Sequence, residues 1–538
     1  MKKVRPAASS AMAAQAACEL KPHDHEIGRR DFIGRLAAGT ALAGVALGLR
    51  SEPARAGETP KMGGHLKIGT DGASTTDSLD PQTYLGAFLP TMGMLFYDTL
   101  TDLDDQGRFV PHLAESWSAS ADAKQWVFKI RSGVSFHNGQ SVTANDVVYS
   151  LNLHRAKSSK SAAKAYLTSV ADIKATGPLE VTITLSRGDA DVPYILTDYH
   201  LSIMPDGAKP TAAIGTGPFI YDSFEPGVRV LAHRNPNYWK NGTPYVDSVE
   251  ILGISDPVAR QSALLSGTIH LMNRVSPKVA GIFGQNPHVQ LFNVSAGAHY
   301  CFPMRCDTAP FTDNNVRLAL KYAIDRQKIV DTVLKGYGKI GNDQPIPSYD
   351  PFFASDVPQR PYDPDKARFH MKQAGFDGAI ELHVSDGAFD GSVAAAQVFQ
   401  VDAAKAGINI QVIREPADGY WDNVWMKKSF CASYWSGRPT ADLMFSAAYT
   451  ADTPWNESFW KNAKFNDLAI AARSELDVDK RKQMYRDMQM LVWDDGGELI
   501  PMFNNFLDGG VKSLKGFKPS PAYELSAYRA PREVWFES

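Results

Sequence analysis

The chain has 538 residues, 44% hydrophobic, 10% aromatic and 21% charged, a composition that excludes a disordered, fibrous or small disulfide-stapled protein. A formal net charge of −3 offers no basic excess for a nucleic-acid partner, and no acidic tail is present. The first 56 residues break this uniformity: nine Lys/Arg against five Asp/Glu give them +4, leaving about −7 on the remaining 482.

That leading segment has the order of an export signal. Arg29-Arg30-Asp31-Phe32-Ile33 precedes an uncharged run from Leu36 to Leu49, and Ala54-Arg55-Ala56 forms a small-x-small cleavage site before Gly57. The run is 14 residues, too short to span a bilayer of roughly 30 Å. Paired arginines followed by x-Phe-Ile resemble a twin-arginine signal, with a general secretory route as the rival. Cys18 precedes the apolar run and so cannot be a lipoprotein cysteine. No later stretch approaches a membrane span, so a soluble, periplasmic mature chain is expected. Its cysteines are Cys301, Cys306 and Cys431; five extended residues span about 17 Å, too far for a Cys301–Cys306 bridge.

Gly64 to Gly69 predicts a first strand, and Trp126 to Ile130 a second that turns at Arg131-Ser132-Gly133 as a hairpin. Thr143 with Asp146 predicts a capping box, opening a helix with Val147, Val148 and Leu151 on one face. Val181 to Leu185 and Val228 to Ala232 predict further strands. Asp313 opens a long helix through Val316, Leu320, Ile324, Val330 and Leu334. Asp363-Pro364 to Gly375 bounds another, and Met484, Met488, Leu491 and Val492 mark the core face of a later one. Alternating strands and helices predict α/β architecture.

Catalytic signatures are missing. The sequence holds no Gly-x-Ser-x-Gly, no His-Glu-x-x-His and no phosphate-loop Gly-Lys-Ser/Thr. Asp102 to Gly107 begins like a calcium loop, but the twelfth position is Leu113, so it reads as an acidic hairpin turn. Gly215-Thr216-Gly217-Pro218 lacks both a following Lys and the Pro218 N–H, and reads as a tight turn. Binding is favoured over catalysis, and no cofactor or metal is expected.

Several segments together resemble the bacterial extracellular solute-binding proteins of family 5, which serve peptide, opine and nickel ABC importers. They are Phe96 to Leu100, Pro111 to Trp117, the run from Trp126 to Leu151, Gly215 to Phe219, Arg234 to Trp239, Pro310 to Arg326, and Tyr362 to Phe376. The resemblance implies a two-lobed, type II periplasmic-binding-protein clamp of α/β class with an extra inserted domain. Lobe I would comprise 57–100, 207–295 and 506–538, the insertion 101–206, and lobe II 296–505. It implies a monomer that closes on a small-molecule or short peptide solute and delivers it to permease subunits, with the twin-arginine machinery exporting the chain. An exported enzyme, or a periplasmic receptor without transport duty, is the alternative.

In peptide-binding relatives a lobe II loop reads Trp-x-x-Asp, and the aspartate pairs with the ligand's ammonium group. The matching loop here is Tyr434-Trp435-Ser436-Gly437-Arg438, with arginine in the aspartate position. That reversal disfavours an ammonium group and suits a carboxylate or phosphate. Asp442, four residues on, offers the competing reading of an internal ion pair with Arg438. Further candidate contacts are Tyr84, Gly86 and Phe88 after Leu79-Asp80-Pro81, Tyr420 and Trp421, and His299 and Arg305 around an expected hinge strand.

Overall fold

The computed structural model describes residues 59–451 and 453–537. The expected export signal and cleavage site lie outside the described residues. Within them, no helix is long and apolar enough to cross a membrane.

The largest sheet begins with His65–Thr70, paired in parallel with Ser248–Gly253 and Leu271–Met272. Arg229–Arg234 and Phe219–Glu225 extend it antiparallel. Its other half is built on two long antiparallel strands, Val289–Pro303 and Glu498–Val511. At 15 and 14 residues each reaches about 45–50 Å, long enough to serve both lobes. One end of the pair meets Leu271–Met272 through Gly509 and Gly510. The other carries Ser433–Trp435 and Gly338–Ile340. Between Ser295 and His299 the register of the long pair slips, a bulge in mid-crossing that bends the strand.

Ala114–Ala119, Gln125–Ile130, Glu180–Leu185 and Val170–Gly177 form a separate four-stranded antiparallel sheet, in that spatial order. Alternation makes its inner face: Val181, Ile183 and Leu185 are buried against Val147 and Leu151 of the helix Ala144–Arg155. Asp146 accepts from the Thr143 N–H at 2.7 Å, its half of the capping box, and also from the Thr143 hydroxyl at 2.7 Å. The segment after Gln125–Ile130 departs from the expected hairpin. The chain turns away and closes its own small hairpin at Ser135 and Ser141, while Gln125–Ile130 pairs with strands before it and far after it.

Around the far end of the long strands, Ile380–Val384 and Ile410–Arg414 form a parallel pair crossed by the helix Ser392–Ala404. The single long helix expected from Asp313 to Leu334 is two, Asn314–Tyr322 and Arg326–Val333. Asp325 breaks it, because its carboxylate accepts from the Lys328 N–H and caps a new helix. Asp363 does the same for Pro364–Ala374, which ends at Gly375 in the left-handed region.

Ion pairs tie distant segments together. Asp102, at the base of the Thr101–Leu103 hairpin strand, meets Arg532 at 2.6 Å and the Arg529 guanidinium, residues more than 400 positions later. Asp98 accepts from Arg532 at 3.2 Å, His112 at 2.8 Å, Thr216 and Trp239 both at 2.9 Å. All of these residues but Trp239, which is partly exposed, are buried.

A second contact joins the four-stranded unit to the Val478–Asp495 helix. Asp191 pairs with Arg481 at 2.8 Å, and the Ala190 N–H donates to the Arg473 carbonyl. Next to it, buried Asp189 is pushed up to about 7 by burial and by the charge of Asp191. Folded Asp189 therefore holds its proton more tightly than the unfolded chain between about pH 4 and 7, so its contribution to stability falls as pH rises through that window. Asp189→Asn keeps the acceptor for the Asp191 N–H. We expect it to raise unfolding free energy by about 2–4 kcal/mol near pH ~8 and to give no gain near pH ~4, read by denaturant titration at both.

Candidate functional site

The strand Ser433–Trp435 adds to the edge of the crossing strand, with Trp435 opposite His299, Tyr434 opposite Tyr300 and Ser433 opposite Cys301. Strand alternation turns Ser433 and Trp435 inward and leaves Tyr434 exposed. Beyond it the loop passes so close to the mid-strand bulge that a Cβ on Gly437 would lie 3.2 Å from the Gly297 backbone. Glycine at both positions permits that approach. Thr440 then ends the loop by capping the helix Ala441–Ala448, its hydroxyl accepting from the Leu443 N–H.

Around this strand lies an open cavity of about 350 Å³ with walls of Trp421, Trp425, Tyr434, Trp435 and Trp455, completed by Ser433, Ser436 and Arg438. The rings meet edge to face: Trp421 lies 5.7 Å from Trp425 and 5.6 Å from Tyr434, while Trp455 tilts 6.2 Å from Trp435. Trp421, Tyr434 and Trp455 are exposed to the space. Among the described residues, no carboxylate lines it.

Arg438 stands at its rim. Its guanidinium lies 5.4 Å from the Trp435 ring centre, and Nη1 donates to the Ser436 carbonyl at 3.2 Å. Asp442 is turned elsewhere: it pairs with Arg473 at 3.0 Å and accepts from the Ser446 hydroxyl at 3.4 Å. Among the described residues no carboxylate lies within ion-pair distance of Arg438, and the Ser436 carbonyl is its one hydrogen-bond partner.

Other candidates fall elsewhere. Tyr84 is fully buried, packed so tightly on Gly93 that a Cβ there would lie 2.3 Å from its ring, with its hydroxyl on the Leu79 carbonyl. Phe88 is interior, 6.5 Å from Phe224, and Gly86 serves a close backbone approach to Gly72 at positive φ. The Tyr420 hydroxyl donates to the carbonyls of Ala432 and His383, which places that ring in the core behind Trp421. His299 is buried beneath the 436–438 loop; burial depresses it to about 4, so its imidazole is neutral at physiological pH. Arg305 stacks on Phe459 and pairs with Asp307. None of these side chains lines the cavity.

Three wall residues carry no signal in the sequence reading above: Ser433, Trp425 and Trp455. Trp425 follows Trp421 at a helical spacing of four, which would have paired them on one face. Trp455 arrives from a separate loop with no pattern to announce it.

The profile of the family "Bacterial extracellular solute-binding proteins, family 5 Middle" matches residues 108–457, and the chain belongs to that family. It is the substrate-binding component of an ABC importer and not an enzyme. The glutathione-binding protein GsiB of Shigella flexneri serotype 5b is 24% identical over 469 residues, covering 82% of this chain and 90% of that one. Among solved structures, the binding protein AgaA in complex with agropinic acid, from A. tumefaciens R10, superposes with a TM-score of 0.69 at 24% identity, covering 88% of this chain and 99% of the other. HbpA2 from Haemophilus parasuis gives a TM-score of 0.79 at 20% identity, over 88% and 100%.

Proposed function

We propose that the chain captures a small solute bearing an anionic group, held by the paired donors of Arg438, with an apolar or aromatic portion against Trp421, Trp455 and Tyr434. The observation that carries this reading is the half-buried, carboxylate-free guanidinium at the mouth of an aromatic cavity. Such a site grips a solute by aromatic walls and a few aimed polar groups. The relatives support the class of solute: one is named for glutathione, another was solved with agropinic acid. An unmodified peptide presenting its ammonium group to this position is disfavoured by like charge.

The lobes proposed are 57–100, 207–295 and 506–538 against 296–505, with 101–206 inserted. The two long strands and the separate hydrophobic clusters support this division. Closure requires a solute that contacts both lobes, so that the closed state gains binding energy the open state lacks. A monomer then presents the closed form to its permease.

We also propose export by the twin-arginine route with cleavage after Ala56. Replacing Arg29 and Arg30 together with lysine is expected to leave uncleaved precursor in the cytoplasm, read by fractionation and immunoblot; normal export of that variant would assign the chain to the general secretory route.

The solute itself is tested by purifying the mature chain under native conditions, releasing what it carries with denaturant, and analysing it by mass spectrometry. One anionic small molecule per chain is expected. A solute whose only charges are positive would overturn the reading.

A further inference from the structure

Behind the aromatic wall lies a buried carboxyl, Glu457, with Glu498 beside it. Glu457 is 2% exposed and follows Trp455 by two residues, so a single loop supplies an open wall on one side and a buried carboxyl behind the others. Its Oε1 accepts from the Trp435 indole N–H at 2.6 Å and faces the Cys301 thiol at 3.5 Å. Its Oε2 accepts from the Ser433 hydroxyl at 2.7 Å and from the Trp425 indole N–H. Four donors match the acceptor capacity of a carboxylate. Three of the four belong to residues that line the cavity.

The carboxylate is itself held. The Cys306 N–H donates to the Ser458 carbonyl, the Ser458 hydroxyl to the Asn456 side chain, and the Asn456 amide to the Trp460 carbonyl. Burial pushes Glu457 upward and its donors pull it back, while neighbouring Glu498 is pushed further up by burial and by the charge of Glu457. Both carboxyls are therefore held above the usual range, Glu498 further than Glu457, and the hydrogen-bond donors are gathered on Glu457.

A buried carboxyl is costly, and an apolar side chain would fill this space at less expense. What the carboxylate adds is direction. An indole has one donor, and fixing its direction, with the side chain anchored at Cβ, restricts the orientation of the ring. Trp435 so fixed presents the face over which Arg438 lies.

We propose that Glu457 is the positioning residue of the cavity: without touching the solute, it locks Trp425 and Trp435 in the orientation that shapes the wall and seats Arg438. The consequence for solute affinity rests on the reading of this cavity as the solute site.

The test uses the mature chain labelled with fluorotryptophan, with the Trp425 and Trp435 signals assigned in fluorine NMR by single replacement with phenylalanine. Glu457→Gln exchanges an acceptor for a donor at constant shape, and Glu457→Ala removes both. Both variants are expected to shift and broaden the Trp425 and Trp435 signals while the others stay in place. Retained solute, measured by mass spectrometry, is expected to fall on the order of tenfold in Glu457→Gln. Unmoved Trp425 and Trp435 signals in Glu457→Gln would overturn the proposal, as would a uniform change across all tryptophans. Should Glu457→Ala fail to fold, Glu457→Gln decides alone. Arg438→Ala separates the two ideas: if the indole signals move but this variant retains solute normally, the cavity is not the solute site while the positioning role of Glu457 stands.

Discussion

Asp102→Ala should lower the unfolding free energy by about 3–5 kcal/mol, measured by urea denaturation near neutral pH, because it removes one partner from a buried charge cluster. Arg529 and Arg532 are each 5% exposed, and both direct a guanidinium at this carboxylate. Lys240 lies 3.6 Å away. Without Asp102 the cluster keeps only Asp98 against these cations, and water cannot replace the lost acceptor in a closed interior. The sign with pH follows from the same contacts. Burial opposes the charge on Asp98 and Asp102, but the surrounding cations overcome it and hold both carboxyls below the usual range. Their contribution is fully present above about pH 4 and is lost as pH falls through the lower folded values. Asp102→Ala should therefore be less acid-sensitive than the parent as well as less stable. A loss under about 1 kcal/mol would show that the cluster exchanges its charges with solvent.

Arg438→Ala should weaken solute binding by about 2–5 kcal/mol, on the order of 30-fold to several thousand-fold in Kd, with the fold intact. The size follows from geometry. The guanidinium is half-buried, is engaged by only one carbonyl, and rests on the Trp435 face. A carboxylate or phosphate seated there gains paired, charge-assisted hydrogen bonds in a partly dry site. Arg438→Lys keeps the charge and loses the fork, so it should recover only part of the affinity. Calorimetric titration of parent and variants with the released solute reads both. Unchanged affinity in Arg438→Ala would remove the anion clamp from the account.

The elements were legible where one residue's chemistry decides them. Alternation in Glu180–Leu185 and the Asp363-Pro364 cap with Gly375 needed no tertiary information. The break at Asp325 was hidden because apolar spacing continues across it; only the cap bond to Lys328 shows where the axis changes. The loop carrying Trp435 and Arg438 was legible through its resemblance to the Trp-x-x-Asp loop of relatives. Exposure was not. Tyr84, Phe88 and Tyr420 read as aromatic contacts, yet close packing on Gly93, the Phe224 ring and backbone carbonyls draws them inside. Trp455 and Glu457 stand some 20 residues beyond Trp435 with no period linking them, and three dimensions were needed to bring one beside its ring and the other behind it. Asp442, near Arg438 in sequence, was drawn away by Arg473, a partner no spacing rule could offer.

The central claim is that this family 5 receptor recognises an anionic solute through Arg438 in an aromatic cavity. A crystal structure of the mature chain with its released solute bound is the most direct measurement. The account predicts one solute between the lobes, its anionic oxygens within hydrogen-bond reach of the Arg438 guanidinium and its apolar portion against Trp421 and Trp455. A solute seated away from this cavity, or one turning a positively charged group toward Arg438, would contradict it.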